Sequence, residues 1–300
     1  MNNILNAGFK NKKLLTFSWE IIKVCQYRCD YCYAFDILEK TMDKKLLNLY
    51  KIILLKLKSV KYDFNVELLG GEPTMHPQIE DILRTLQRNK NCKAVELVTN
   101  LAKPVSFYKK FDSEKYNKTL IAASYHPQYD SNNRYAKKCI EISKFDHLTI
   151  YCNINLPKEK EQWEKIKNTL DLLTENNVNL GLNFIHTVKD KYDTFYGDDF
   201  KLFFKDYLKN NERVSKKSFP YNINGKVEML DEHYIRLNNL FKFYNYTCTP
   251  LMYSIDAEGN LANACSGKKF DDFNDIIQTF KCPIKDGCNC DILFNYYKEK

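Results

Sequence analysis

Cys25-Gln26-Tyr27-Arg28-Cys29-Asp30-Tyr31-Cys32 follows directly on an apolar stretch, Phe17 to Val24, that reads as a β-strand. Three thiols at C-x3-C-x2-C spacing on one short loop are a ligand set one short of what a four-iron cubane takes, so one iron is left free for a small molecule. A structural zinc site is the competing reading of such a triplet. Zinc calls for a second cysteine or histidine pair nearby to close a tetrahedron, and the next cysteine after Cys32 is Cys92.

Working outward from that loop, strand-like and helix-like segments alternate. Helical spacing of Leu and Ile runs from Lys44 to Lys58, a second strand from Phe64 to Leu69, and a helix from about Pro77 to Arg88. Ala94 to Thr99, Thr119 to Ser124, Leu148 to Asn155 and Val178 to Phe184 read as four further strands. Helices near Pro104 to Phe111, Asn132 to Ser143 and Glu159 to Glu175 separate them. Repeated strand–helix units predict parallel strands joined by right-handed crossovers, an α/β fold of the partial (β/α)6 TIM-like barrel kind. In such folds the chemistry gathers at the C-terminal strand ends.

The second strand ends in Leu69-Gly70-Gly71-Glu72-Pro73-Thr74. Two glycines permit a close backbone approach to a ligand, and the carboxylate after them can accept hydrogen bonds from an ammonium group. Alternation places Ser124 and His126 on one face of the fourth strand. On the fifth, Tyr151, Asn153 and Asn155 face the interior, with Cys152 on the opposite, core side. His126 is expected to contact substrate, whereas His76 is expected to start the next helix.

The cysteine triplet and the Gly-Gly-Glu strand end, in this order, resemble the radical S-adenosylmethionine (radical SAM) superfamily over about Phe17 to Ile185. The resemblance implies that Cys25, Cys29 and Cys32 hold a 4Fe-4S cluster whose open iron is chelated by the amino and carboxylate groups of S-adenosylmethionine. It implies that Tyr31 packs beside the adenine and that Gly70, Gly71 and Glu72 bind the methionine amino group. Asn100, Ser124, Asn153 and His186, at the remaining strand ends, would contact the carboxylate, ribose and adenine.

After about Asp199 the rhythm stops, and aromatic-rich text that reads as helical leads to Cys248. A hairpin follows, with a strand from Leu251 to Ile255, an Asp-Ala-Glu-Gly turn and a return strand reaching Cys265. Cys282, Cys288 and Cys290 then crowd the tail. This arrangement resembles the twitch domain, a shortened relative of the SPASM domain, a small cysteine-rich α+β unit that holds one auxiliary 4Fe-4S cluster. Cys248 and Cys265 would be ligands, joined by two of Cys282, Cys288 and Cys290. An extra residue between Gly259 and Cys265 and the C-x-C spacing depart from the usual pattern. The expected organisation is an N-terminal extension over 1–16, a core over 17–205 and the auxiliary-cluster unit over 206–300.

Composition narrows the classes. A 44% hydrophobic fraction in 300 residues suffices for a packed core. The N-terminus lacks an apolar signal region, and no uninterrupted apolar run is long enough for a membrane span, so the reading is a cytoplasmic protein with no membrane partner. Eight of eleven cysteines fall in the two ligand-like groups, which favours metal over disulfides; Cys92, Cys139 and Cys152 sit in apolar periodic stretches. The formal charge of +8 comes from lysines interleaved with Asp and Glu, which favours a solvated surface over a nucleic-acid partner.

By the same resemblance, a flavodoxin- or ferredoxin-type donor reduces the first cluster, and S-adenosylmethionine is cleaved to methionine and a 5'-deoxyadenosyl radical that takes a hydrogen atom from the substrate. The cysteine loop begins at residue 25, which leaves no room for an N-terminal peptide-recognition domain, so the expected substrate is small and polar, sugar-like or nucleotide-linked. Oxidation or epimerisation would follow. A peptide-modifying radical SAM enzyme is the alternative within the class, and a zinc-stabilised nucleic-acid-binding protein the alternative outside it.

Overall fold

The strand–helix rhythm folds into one sheet. In the computed structural model, which describes residues 4–7, 14–32, 34–156, 159–184, 198–204, 218–231, 234–235, 238, 240–285 and 297–300, a short first strand β1 (Ile4–Ala7) precedes the repeating units. These comprise β2 (Leu15–Ile22), α1 (Lys44–Ser59), β3 (Phe64–Gly70), α2 (Ile79–Arg88), β4 (Cys92–Thr99), α3 (Val105–Lys109), β5 (Thr119–Tyr125), α4 (Arg134–Ile142), β6 (Thr149–Leu156), α5 (Trp163–Glu175) and β7 (Leu180–Phe184). Strands β2 to β7 lie in sequence order, each parallel to the next. All six C-terminal ends therefore open on one side of the sheet.

Local signals explain the helices. Asp43 caps α1, its Oδ1 accepting from the Lys45 N–H at 2.7 Å. In α2, Ile79, Ile82, Leu83 and Leu86 are buried at helical spacing while Glu80 and Asp81 favour its positive N-terminus. On β5 and β6 the alternation holds: Ile121, Ala123, Tyr125, Ile150, Cys152 and Ile154 are buried in the core.

After α6 (Asp198–Phe203) the chain contributes to two sheets. Strands β8 (Ser218–Ile223) and β9 (Lys226–Asp231) form a hairpin where helical text was expected. Its loop is Asn224-Gly225 with φ of 53° and 88°, the two left-handed positions that a two-residue hairpin turn requires. Five of the remaining strands are β10 (Thr247–Cys248), β11 (Met252–Ile255), β12 (Leu261–Asn263), β13 (Lys269–Phe270) and β14 (Phe280–Lys281), and β15 (Lys298–Glu299) is the last. A six-stranded sheet runs β14-β10-β15-β1-β8-β9, so residues of the 1–16 segment pair with both ends of the C-terminal third. The β11–β12 hairpin extends the main sheet instead, with β11 parallel to β2 in the register Met252↔Thr16 to Ile255↔Trp19. Phe17 cements that seam: its ring stacks on Phe273 at 5.7 Å and meets Phe64 edge-on at 5.5 Å. The 205/206 boundary falls outside the described residues. Among the described residues no helix is long and apolar enough to cross a membrane.

His76 does not begin α2; it ends the short turn Pro73–Met75 and its Nδ1 accepts from the Gln78 N–H at 3.1 Å. Burial pushes its imidazole down from 6.5 to about 4. Between those values the unfolded chain binds a proton that the folded one refuses, so stability falls as pH drops through the window, by roughly 3 kcal/mol for this group. His76→Asn, whose Oδ1 can still accept, removes that contribution. Urea unfolding from pH 7 to pH 4 should show a shallower acid loss in the variant; parallel profiles would contradict the assignment.

Candidate functional site

The cysteine loop leaves β2 and turns back under its own hydrogen bonds. The Cys32 N–H donates to the Cys29 carbonyl at 3.1 Å and the Phe35 N–H to the Cys32 carbonyl at 3.1 Å. The Arg28 guanidinium ties the loop from within, donating to the carbonyls of Cys25 at 2.6 Å and Tyr27 at 3.0 Å. Cys29 is buried, and Cys25 and Cys32 are half-buried; none is in a disulfide.

Strand β3 delivers Gly70, Gly71 and Glu72 against this loop. The Gly71 N–H donates to the Ile22 carbonyl at 2.7 Å and the Glu72 N–H to the Val24 carbonyl at 2.8 Å. A Cβ on Gly70 would lie 2.3 Å from the Ile22 oxygen, and one on Gly71 2.2 Å from the Val24 oxygen. The glycines thus admit the backbone that carries the cysteines.

Glu72 is 1% exposed. Its Oε1 accepts from the Thr74 N–H at 3.1 Å, the Thr74 hydroxyl at 2.5 Å and the Thr99 hydroxyl at 2.7 Å, and its Oε2 from the Asn100 N–H at 2.8 Å. Burial pushes its carboxyl up, and these donors draw it down. Glu72 therefore locks the ends of β3 and β4 together. Thr74 and Thr99 were not legible as site residues, although Thr74 stands at the spacing from Glu72 that suits a local side-chain cap.

Asn100 links this brace to the loop. Its Oδ1 accepts from the Gln26 side chain at 2.9 Å and its Nδ2 lies 3.8 Å from the Cys25 sulfur. From β5, His126 reaches the far side of the loop, its Nδ1 3.3 Å from the Cys29 sulfur and 2.9 Å from the Tyr31 hydroxyl. The His126 and Tyr31 rings stack with planes 7° apart. Burial lowers the His126 imidazole to about 4 and raises the Cys29 thiol to about 12.

These groups surround one cavity of about 360 Å³. Cys25, Cys29, Cys32, Tyr31, Gly70 to Glu72, Asn100, Ser124 and His126 all line it. Asn155 does too, but Asn153 does not; Asn153 pairs opposite Ser124 on the neighbouring strand without reaching the lining. His186 lies outside the described residues. Tyr27, which sequence reasoning passed over, forms part of the same wall.

The donor set fits an iron–sulfur cluster: three thiols on one loop face a cavity large enough for further ligands, and burial pushes the Cys25 and Cys29 thiols up, so that metal binding would release protons they retain in its absence. Among the described residues no three His, Cys, Asp or Glu groups converge as ligands of a single ion. Thiolates of a cubane bind different irons and stand farther apart than that.

In the C-terminal group, Cys248 and Cys282 are buried near each other on the paired strands β10 and β14 and the residue after, with Lys298 close to Cys248. Cys265 is half-buried beyond β12, its N–H donating to the Asn263 Oδ1 at 3.0 Å. Cys288 and Cys290 lie outside the described residues.

No family model matches the chain. Two curated proteins resemble part of it: human molybdenum cofactor biosynthesis protein 1, 32% identical over 77 residues, and the mitochondrial GTP 3',8-cyclase of Arabidopsis thaliana, 32% identical over 108 residues. The matched segments span 25% and 34% of this chain and 12% and 28% of those relatives. Among solved structures, the fold is similar to anSMEcpe with bound AdoMet, with a TM-score of 0.55 and 14% identity over 88% of this chain and 79% of that one. It is also similar to SuiB of Streptococcus suis bound to S-adenosylmethionine, with a TM-score of 0.56 and 18% identity over 86% of this chain and 63% of that one. At these identities the likeness shows a shared fold.

Proposed function

We propose that this chain is a radical SAM enzyme, and that the cavity at the C-terminal ends of β2 to β6 binds both a 4Fe-4S cluster and S-adenosylmethionine. The observation that carries this reading is the meeting of Cys25, Cys29 and Cys32 with Gly70 to Glu72, Asn100 and Ser124 around one cavity. The fold shared with two proteins that bind S-adenosylmethionine supports it. So does the partial similarity to the GTP 3',8-cyclase.

When bound, the cluster and S-adenosylmethionine supply the one-electron chemistry that makes hydrogen-atom removal from an unactivated carbon possible. The protein's own part is placement. Cys25, Cys29 and Cys32 would hold the cluster; Glu72, through Thr99 and Asn100, fixes the strand ends beside them that would receive the methionine group. Ser124 and Asn155 would offer polar contacts to the ribose or substrate, and His126, set against Cys29 and Tyr31, forms part of the same wall. A flavodoxin- or ferredoxin-type protein is the proposed electron donor. Cys248 and Cys265, with two of Cys282, Cys288 and Cys290, are proposed to hold an auxiliary cluster in a twitch-like unit.

For the substrate, the polar side chains Asn100, Ser124 and Asn155 in an otherwise largely apolar lining favour a small hydroxyl-bearing molecule and oxidation or epimerisation at its carbon. A peptide is the second reading, because the similar anSMEcpe has been solved with a bound Cp18Cys peptide, with a TM-score of 0.54 over 86% of this chain. The common step is tested first. Anaerobically reconstituted protein given dithionite and S-adenosylmethionine should release 5'-deoxyadenosine, and Cys29→Ala should reduce that release to background. Equal release by the variant would refute the assignment.

A further inference from the structure

The turn after β5 grips the cysteine loop with two stacked ring pairs, and the mechanism above uses only one member of that grip. Tyr129 lies flat on Tyr27, centroids 4.0 Å apart and planes 3° apart, and its hydroxyl accepts from the Arg28 N–H at 2.7 Å. One turn earlier, His126 stacks on Tyr31, and its ring also meets Tyr27 edge-on at 5.7 Å. The two gripping residues bracket one short 3-10 turn, Pro127–Tyr129: His126 immediately precedes it and Tyr129 ends it, the Tyr129 N–H donating to the His126 carbonyl at 3.0 Å. That turn is itself anchored from outside. Lys165 on α5 donates to the carbonyls of Pro127 and Asp130, and the Asp130 Oδ1 accepts from the Tyr135 N–H at 3.0 Å.

The grip spans strands that do not touch. Two strands, β3 and β4, separate β2 from β5 in the sheet, so the stacked pairs reach across the open strand ends. Tyr27, Asn100 and His126 line both the 360 Å³ cavity and a second one of about 220 Å³. Tyr129, Arg134 and Lys138 border only the second. The stacked rings are the partition between the two spaces.

We propose that Tyr129 is a positioning residue for the cysteine loop, holding Tyr27 and the Arg28 backbone so that Cys25, Cys29 and Cys32 face the first cavity. The proposal deepens the reading of that cavity as a cluster site, and it is tested on the full chain without iron. Tyr129 is 38% exposed, so its removal leaves the core intact. Iodoacetamide labelling, followed thiol by thiol by mass spectrometry in the iron-free protein, reads how tightly the loop is held. Tyr129→Leu should label Cys25, Cys29 and Cys32 about tenfold faster than wild type, as expected for loss of a stacked pair and a hydrogen bond. Tyr129→Phe, which keeps the ring and loses only the hydroxyl, should fall between the two. Buried Cys92 serves as the internal control and should label at the wild-type rate in all three proteins.

In reconstituted protein, Tyr129→Leu should also broaden the paramagnetic signal of the cluster, while Tyr129→Phe restores the wild-type line shape. Unchanged loop labelling in Tyr129→Leu would overturn the proposal. Acceleration of Cys92 to the same degree would also overturn it, since that is general loosening. Because labelling needs no iron, a chain that proved not to bind a cluster would show that separately, in the metal content of the reconstituted wild type.

Discussion

Gly71→Ala should lower the melting temperature by about 6 °C or more and deprive the cysteine loop of its iron. The new methyl would stand 2.2 Å from the Val24 oxygen and 2.5 Å from the Val24 carbonyl carbon, and a backbone group cannot rotate away as a side chain can. Relief requires moving Val24, which is joined to Cys25, or breaking the Glu72 N–H bond to the Val24 carbonyl. Overpacking of this kind costs about 3 kcal/mol, and a domain of this size loses roughly 2 °C per kcal/mol. Thermal unfolding and the iron content after anaerobic reconstitution report the two effects together. A variant with wild-type melting and wild-type iron would show that the strand end and the loop are not coupled.

Glu72→Gln should be nearly as damaging in function with a smaller loss of stability. Every hydrogen bond the carboxylate receives in the folded protein is donated to it, by Thr74 twice, Thr99 and Asn100. An amide can point its oxygen at Thr74 and Thr99 only by aiming its NH2 at the Asn100 N–H. Two donors then face each other in a buried place, at a cost of about 2 kcal/mol. The end of β4 moves, and Asn100 with it, away from Gln26 and Cys25. S-adenosylmethionine binding measured by equilibrium dialysis should weaken at least about tenfold. Unaltered affinity together with unaltered stability would mean that Glu72 is dispensable as a brace.

The parallel strands were legible because their signals are local. Alternating apolar residues from Phe17 to Phe184 and the helical spacing of α2 and α5 need no knowledge of distant partners. The six-stranded sheet was not legible for the opposite reason. Ile4–Ala7 becomes a strand by pairing with Tyr221 to Ile223 and with Lys298 and Glu299, contacts that four residues of text cannot announce. The Asn224-Gly225 turn was a local signal, but the aromatic residues around it led to a helical reading.

At the site, residue types were easier to read than their contacts. Gly70 and Gly71 stood out as sites of close approach, yet the approaching group is the backbone of Ile22 and Val24. Glu72 stood out as a carboxylate at a strand end, but its four donors come from β4 and the turn after β3, so its bracing work emerges only in three dimensions. Tyr129 carried no signal at all, since a stacked partner far along the chain leaves no spacing to recognise.

The central claim, that three thiolates of one loop hold a cluster with an iron open to S-adenosylmethionine, is tested most directly by electron paramagnetic resonance of the dithionite-reduced, anaerobically reconstituted protein before and after adding S-adenosylmethionine. The account predicts a reduced 4Fe-4S signal whose g-values shift on addition. That shift should be missing when Cys25, Cys29 and Cys32 are all replaced by Ala. A chain that takes up zinc in place of iron, or an iron–sulfur signal indifferent to S-adenosylmethionine, would contradict it.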